Sequence, residues 1–248
     1  MLRQLVHRFR ARSQAAVPHA FIERCACCGG TEFKSQGVLW PKLVREWRLS
    51  PSEAAYIDRQ QGTACLGCHS SLRSIALATS MMRYFGFTGT FDAWVRSPTA
   101  SGLAVLELNG AGSLTSFLRQ LPGHVERSYP EVDMLAMPFA DGAFDLVVHS
   151  DTLEHVPDPV RGLSECHRVL RSGGACCFTV PVVVGRTSRS RTGLRPSFHG
   201  APHAKMPDYR VETEYGADAW GHVIEAGFSE CRILAAEYPS ALAFTAVR

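Results

Sequence analysis

An apolar strand, a capped helix and a second apolar strand follow one another beyond the middle of the chain, and this unit restricts the fold most. The first predicted strand is Phe144–His149. Asp158 and Pro159 are typical of a helix start, because Asp caps free N–H groups and Pro fits the first helical position. The predicted helix ends at Gly173–Gly174, and Ala175–Val180 is the second strand. Two strands joined by a helix predict a parallel pair.

Similar elements are predicted on either side of this unit. They are the strands Leu103–Leu108, Ile233–Ala236 and Ala241–Val247 and the helices Ser113–Leu121 and Ala217–Ala226. Hydrophobic residues make up 46% of the 248 residues, which is enough to build a core. We therefore predict an α/β fold over residues 71–248, with a Rossmann-like, doubly wound and mostly parallel sheet.

Two pairs of cysteines bracket a segment near the N-terminus. Cys25 and Cys28 form one C-x2-C pair, and Cys65 and Cys68 form another. Two such pairs offer the four thiolates that tetrahedral zinc requires, and four thiolates leave no open position for catalysis. We predict a structural zinc site in a zinc-ribbon-like module over residues 25–70, with Cys27 as an alternative to either member of the first pair. The alternative is a set of unconnected buried thiols.

The stretch between the cysteine pairs is longer than in common zinc modules, so we expect it to have its own helices, at Leu39–Trp47 and Pro51–Gln60. Residues 1–24 form a basic leader, predicted to be a solvated tail or a short amphipathic helix. It has no long apolar core of a secretory signal, and no apolar stretch approaches the roughly 20 residues of a membrane span. Nine cysteines without such a signal favour a reducing, cytoplasmic location.

A glycine-containing loop follows the strand that ends at Leu108. Its sequence is Asn109-Gly-Ala-Gly-Ser113, and a helix is predicted after it. Small residues allow backbone N–H groups to approach a nucleotide-like ligand at a helix N-terminus. A dehydrogenase would need a further glycine at Thr115 and an acidic residue about 20 residues beyond the loop, so the pattern disfavours that class.

The segment from Asp133 to Pro181 carries a more specific pattern. It contains Asp133-Met-Leu-Ala-Met-Pro-Phe, the strand Phe-Asp-Leu-Val, the turn Leu-Glu-His-Val and the run Arg-Val-Leu-Arg-Ser-Gly-Gly. In this order the motifs resemble those of class I S-adenosylmethionine-dependent methyltransferases of the type 11-like kind. The family's usual loop has glycine at the positions of Asn109, Ala111 and Ser113, so the glycines here are one place out of phase. Asn tolerates a left-handed backbone, which makes the turn feasible.

The resemblance implies a set of contacts with S-adenosylmethionine. Glu107 would lie near the methionine or ribose end, and Asp133 would accept a hydrogen bond from the adenine amino group. The other implied contacts are Asn109, Gly110 and Gly112 beneath the cofactor, Met134 against the adenine ring, His149 and Ser150 beside the sulfonium, and Glu126 as the candidate for the ribose.

An arginine-rich stretch, Gly185–Arg195, follows the second strand and is expected at the acceptor side of the site. Its arginines suit an anionic acceptor, although a solvated loop is equally compatible with the sequence. If a general base is used, the candidates are histidines. They are His149, His155, His199 and His203, with His199 preferred and His155 interpreted as structural.

Three functions are compatible with these features. The first is methylation of a small molecule or saccharide, and this acceptor can be anionic. The second is an RNA methyltransferase whose zinc module holds its substrate, but basic and acidic residues nearly balance between Cys28 and Cys65, and a net charge of +3 is small. The third is a non-catalytic scaffold. The sequence does not predict an oligomeric state.

Overall fold

A computed structural model describes residues 22–198 and 209–248. Most of the predicted leader, together with His199 and His203, lies outside these residues. Within the described ranges, no helix is both long enough and apolar enough to pass through a membrane.

The described elements alternate between strands and helices along most of the chain. The strands are β1 (Phe33–Ser35), β2 (Thr63–Cys65), β3 (Val105–Leu108), β4 (His124–Arg127), β5 (Phe144–Ser150), β6 (Leu170–Thr179), β7 (Val182–Val183), β8 (Arg189–Ser190), β9 (Thr213–Gly216), β10 (Glu230–Glu237) and β11 (Ala241–Val247). The helices are α1 (Pro41–Glu46), α2 (Pro51–Gly62), α3 (Leu72–Tyr84), α4 (Phe91–Val95), α5 (Pro98–Ser101), α6 (Thr115–Leu118), α7 (Pro159–Val169) and α8 (Gly221–Glu225).

The central sheet has six strands in the order β10-β11-β6-β5-β3-β4. β4, β3, β5 and β6 run parallel, and β11 and β10 are antiparallel to their neighbours. Leu106 and Val147 illustrate the register, since they are partners on β3 and β5. The carboxyl ends of β3, β5 and β6 therefore meet at one edge. The predicted mostly parallel α/β sheet is confirmed.

Helices cover both faces of this sheet. One face packs on α3, α4 and α6 through side chains such as Val105 and Val148, and the other packs on α7 and α8 through Leu106 and Val147. Neighbouring residues of a strand point to opposite faces, which explains why both are apolar. The strands thus read as continuous apolar runs, as expected for a buried parallel sheet.

The predicted end of α7 at Gly173–Gly174 is wrong, because the helix ends at Val169. Leu170 already pairs with Phe144, and the register then shifts so that Leu146 pairs with Ala175. Gly173 takes a φ of +74° inside the resulting bulge. A Cβ on Gly174 would lie 3.0 Å from the carbonyl oxygen of Asp145. The two glycines thus permit a close strand contact rather than ending a helix.

The other predicted elements are found with shifted limits. The predicted helix after the loop is only α6, preceded by a 3-10 turn at Gly112–Leu114. The helix predicted at Ala217–Ala226 is reduced to α8, whereas α1, α2 and β11 lie where they are expected.

The cysteine-bearing segment packs directly on the α/β domain. β1 and β2 form a small antiparallel sheet, and Cys25, Cys27 and Cys65 belong to the same apolar cluster as α3 and α4. The N–H groups of Phe91 and Asp92 donate to the carbonyl oxygens of Ala26 and Cys27, at 2.8 and 3.0 Å. A second small sheet, β7-β9-β8, lies beyond the carboxyl end of β6.

Candidate functional site

The two cysteine pairs lie on turns of matching geometry. In the first, the Cys25 N–H donates to the Gly30 carbonyl and the Gly29 N–H donates to the Cys25 carbonyl, at 2.8 and 2.7 Å. In the second, Cys65, Ser70 and His69 repeat this pattern at 3.0 and 2.9 Å. Gly29 and His69, at equivalent positions, both have positive φ, +83° and +60°. Each turn directs two sulfurs towards the other turn.

The four sulfur atoms of Cys25, Cys28, Cys65 and Cys68 all lie within 4.8 Å of one another. Sγ of Cys25 is 3.6 Å from Sγ of Cys68, and Sγ of Cys28 is 3.6 Å from Sγ of Cys65. Tetrahedral zinc with Zn–S bonds of about 2.3 Å places its sulfurs about 3.8 Å apart. The donor set and its spacing therefore fit zinc, and the cluster is the one that the outer cysteines form, without Cys27.

The glycine-containing loop after β3 has three residues in the left-handed region. Asn109, Gly110 and Gly112 have φ values of +57°, +73° and +61°. The Asn109 Oδ1 atom accepts a hydrogen bond from the Tyr129 N–H at 2.8 Å, which holds this backbone turn. The expectation that Asn tolerates the left-handed conformation is confirmed. The loop lies at the carboxyl edge of the sheet, where doubly wound folds bind ligands.

Glu107, at the end of β3, is fully buried and organises this loop. Its carboxylate accepts from the Ala111 N–H, from the Thr115 hydroxyl and, at 2.7 Å, from His124 Nε2. Burial raises the pKa of Glu107, but the hydrogen bonds from His124, Thr115 and Ala111 outweigh it and hold the pKa below its ordinary value. Glu107 is thus a buried carboxylate that fixes the loop, and its contact with a cofactor stays a prediction.

Three other predicted cofactor residues lie around the same edge. Asp133 is exposed and accepts from the Leu135 N–H at 2.8 Å, which leaves its second oxygen free of any hydrogen bond to the described residues. Glu126, on the neighbouring strand β4, forms an ion pair with Arg119 at 2.7 Å. The Ser150 hydroxyl is 2.8 Å from that of Thr179.

Met134, predicted to pack on the adenine ring, is a core residue. It is 5% exposed and belongs to the apolar cluster beneath α7. A Cβ on Gly162 would lie 3.3 Å from its Cγ, so the side chain contacts α7 closely. The side chain therefore supports the Asp133 turn from below. Its predicted contact with adenine would need a different orientation.

His149 is fully buried on the face of the sheet that α7 covers. Its ring stacks on Phe178 with centroids 4.9 Å apart, and neither ring nitrogen has a hydrogen-bond partner among the described residues. Burial lowers the pKa of His149 to about 3, although Asp151 opposes this. The imidazole is therefore neutral and enclosed. The ring has no exposed atom in this structure, and its predicted roles as a base and beside the sulfonium stay predictions.

His155, the structural candidate, donates from Nδ1 to the Arg210 carbonyl at 2.8 Å. It ties the turn after β5 to the segment before β9. This contact agrees with the structural interpretation.

Three of the four arginines in the stretch Gly185–Arg195 are paired within the protein. Arg186 donates to Glu53 at 2.8 Å and to the carbonyl of Trp47, and this pairing lowers the pKa of Glu53 to about 2. Arg189 and Arg191 both pair with Glu214. These three cations have carboxylate partners, and an anionic acceptor stays a prediction.

Helix α2 lies along the carboxyl edge of the sheet and brings the cysteine segment to the site. The Tyr56 hydroxyl accepts from the Val184 N–H at 3.1 Å, and Gln61 donates to Asp151 at 2.9 Å. Beside this contact is a cavity of about 630 Å³. Its lining residues are Val183, Val184, Gly185, Arg186, Thr187, Arg189, Glu214 and Tyr215.

Sequence reasoning missed a polar cluster at the centre of this edge. Asp151 follows β5 with a φ of +46°, and it pairs with Arg73 from the first turn of α3. A non-glycine residue in the left-handed region directly after a strand is a known mark of functional sites. The sequence offered one signal, since Asp151 lies inside the family-like motif, but it did not indicate Arg73.

Comparison with known proteins supports the family that the motifs indicate. Residues 103–178 match the family model described as "Methyltransferase domain". An uncharacterized methyltransferase of Mycobacterium sp. (strain KMS) is 34% identical over 93 residues, which are 36% of this chain and 37% of that protein. A protein described as a probable S-adenosylmethionine-dependent methyltransferase from Mycolicibacterium smegmatis is 36% identical over 81 residues, which are 31% of each chain.

A crystal structure of an S-adenosylmethionine-dependent methyltransferase from Mesorhizobium loti superposes with a TM-score of 0.40 and 15% identity, over 63% of this chain and 96% of that one. The two sequence relatives are matched over about a third of their own lengths. The matched region contains β3, the loop, the Asp133 turn, β5, α7 and most of β6. Residues 103–178 of this chain, about a third of its length, are therefore similar to the methyltransferase domain that the family model describes.

Proposed function

We propose that the chain transfers a methyl group from S-adenosylmethionine to an uncharged small-molecule or saccharide acceptor. The observation that carries the proposal is the left-handed loop at Asn109–Gly112, which follows β3 at the carboxyl edge of the sheet. A loop with this backbone lets N–H groups approach a ligand closely. The family match over the same residues supports this cofactor.

The proposed cofactor contacts follow the edge from the loop to Asp133. Asn109, Gly110 and Gly112 would lie beneath the cofactor, Glu126 would bind the ribose, and Asp133 would accept from the adenine amino group. The bound cofactor supplies an electrophilic methyl group on a sulfonium. The protein's part is to hold the acceptor atom in line with that methyl group, which requires alignment more than acid–base chemistry.

The acceptor is proposed to occupy the cavity beside β7 and β9. Its volume of about 630 Å³ suits a small molecule. Arg186 and Arg189 line it, but each is paired with a carboxylate, so the cavity offers hydrogen bonds without an unpaired cation. That chemistry favours hydroxyl-bearing, uncharged acceptors over phosphates. His199 stays the predicted base, in a segment outside the described residues.

Calorimetry with S-adenosylhomocysteine tests the cofactor assignment. We expect wild-type protein to bind, and Asp133→Asn to bind about tenfold more weakly, because one charged hydrogen bond is lost. Asp141→Asn is the matched control, since Asp141 is an exposed acid that pairs with Arg168 away from the loop. Absence of binding by the wild type would instead favour the non-catalytic scaffold.

A methyl-labelled cofactor tests the acceptor class. The protein is incubated with tritium-labelled S-adenosylmethionine and with either a low-mass extract or total RNA. We expect label in the low-mass fraction. Label that enters RNA alone would contradict the small-molecule proposal and support the RNA alternative.

We also propose that Cys25, Cys28, Cys65 and Cys68 bind structural zinc. The support is the matched pair of turns and the 3.6 Å sulfur separations. We expect one zinc per chain by metal analysis, its loss in Cys25→Ser, and its retention in the control Cys231→Ser. Retention in Cys27→Ser would agree with the outer four ligands, and a wild-type protein that folds without metal would contradict the proposal.

A further inference from the structure

Arg73 lies where the cysteine-bearing segment, the glycine-containing loop after β3 and the end of β5 meet. It is the second residue of α3, a helix of 13 residues that begins after the second cysteine turn and is capped by Ser71. One nitrogen of its guanidinium, Nη2, is 3.9 Å from the point where a Cβ on Gly112 would stand. The guanidinium therefore faces the left-handed loop directly.

The contacts of Arg73 use only one corner of its guanidinium. Nη1 donates to Gln61 Oε1 at 2.7 Å and also to Asp151. Nε is buried and has no hydrogen-bond partner among the described residues. A buried donor without a partner costs free energy, and such atoms are rare unless a ligand satisfies them. The Nε and Nη2 edge is the edge that binds carboxylates in a bidentate manner.

We propose that Arg73 binds the carboxylate of the methionyl part of the cofactor, an inference that rests on the proposed function. The amino-acid end of that cofactor is a zwitterion, so it brings an ammonium group together with its carboxylate. Asp151 supplies the opposite charge beside Arg73, and the pair can therefore match both ends of the zwitterion. Gly112 suits this turn because of its φ of +61°, and a Cβ there would only make ordinary contact with Nη2.

The position of Arg73 is fixed by the segment that contains the cysteines. Gln61 lies in the last turn of α2, only a few residues before Cys65, and α3 begins shortly after Cys68. The second turn is also joined to the loop, because Ser113 donates from Oγ to Ser70 Oγ at 3.0 Å. The cysteine segment thus presents Arg73 to the cofactor loop rather than forming an independent module.

Two nucleosides separate a carboxylate contact from general support of the site. S-Adenosylhomocysteine has the amino-acid carboxylate, whereas 5′-methylthioadenosine lacks it. Calorimetry with Arg73→Gln should show affinity for S-adenosylhomocysteine lowered about 10- to 100-fold, the effect of losing a charge-assisted pair. Affinity for 5′-methylthioadenosine should be unchanged.

Two further variants accompany this measurement. Arg73→Lys keeps the charge without the fork, so it should lose part of the affinity for S-adenosylhomocysteine and none for 5′-methylthioadenosine. It also serves if Arg73→Gln does not fold. Arg171→Gln is the control, because it breaks an exposed pair with Asp145 at the opposite edge of the sheet. It should bind both nucleosides as the wild type does.

The outcomes are distinct. Equal weakening of both nucleosides by the Arg73 variants would overturn the proposal and assign Arg73 a structural role, as would unchanged affinity for both. In either case wild-type binding would leave the proposed function standing. A wild-type protein that binds neither nucleoside would overturn both proposals.

Discussion

Replacing His149 with phenylalanine should change how the stability of the protein depends on pH. The imidazole lies fully buried against Phe178, which in turn stacks on Phe244 with centroids 5.2 Å apart. A phenyl ring can continue this stack, and it has no nitrogen that needs a hydrogen bond. At pH 7 we expect no loss of stability and a gain of up to about 2 kcal/mol, because two unpartnered nitrogens are removed.

The pH dependence follows from the two pKa values of His149. Burial lowers the pKa to about 3 in the folded protein, whereas the ordinary value is 6.5. As the pH falls below 6.5, the unfolded chain takes up a proton that the folded protein does not. The stability associated with the neutral imidazole is therefore fully present above pH 6.5 and is lost towards pH 3. Between pH 7 and pH 5 this loss is about 2 kcal/mol.

Urea unfolding followed by far-ultraviolet circular dichroism at pH 7 and pH 5 measures this difference. Wild type should lose about 2 kcal/mol more than His149→Phe over that interval. The pH dependence of the cysteine site is common to both proteins, so it cancels in the difference. Equal losses in the two proteins would refute the reasoning, since they would mean that the folded protein also protonates His149.

Three further predictions concern the loop and the cysteine turns. His69 has a positive φ, and the equivalent residue of the first turn is glycine. His69→Gly should therefore raise the free energy of unfolding by up to about 1 kcal/mol, and His69→Val should lower it. The opposite order in urea unfolding would contradict this. Glu107→Gln should lower stability by about 2 to 4 kcal/mol and weaken binding of S-adenosylhomocysteine, because its charge holds three donors. Unchanged values by urea unfolding and calorimetry would exclude that role. A chelator should lower the Tm of the wild type and leave unchanged the Tm of the double variant that carries both Cys25→Ser and Cys65→Ser. Equal shifts of Tm in the two proteins would show that the chelator does not act at the cysteines.

The central sheet could be predicted because its signals are local. Phe144–Ser150 is apolar along its length, and Asp158 caps the next helix within a few residues. The limits of α7 could not be predicted from Gly173–Gly174, since glycine also permits close strand contacts. The pairing of Leu170 with Phe144 shows that this stretch is a strand and not the end of the helix. That pairing joins residues far apart in sequence.

The predicted cofactor residues divide by the type of evidence that supports them. The conformation of Asn109 was predictable, because a left-handed turn is a property of the residue and its neighbours. The burial of Met134 and His149 was not, since an apolar or aromatic residue beside a motif can point either into the core or towards a ligand. Only the packing of α7 against the sheet places both side chains inside.

The sequence by itself determined the α/β class, the methyltransferase-like motifs and the two C-x2-C pairs, because each depends on short spacings. Tertiary structure decided which charges remain available. Arg186 is neutralised by Glu53, a residue 133 positions away, whereas Arg73 joins Asp151 across 78 positions and keeps a buried nitrogen without a partner. Ion pairs between distant residues leave no periodic trace in the sequence, so the availability of an arginine for a ligand is a property of the folded chain.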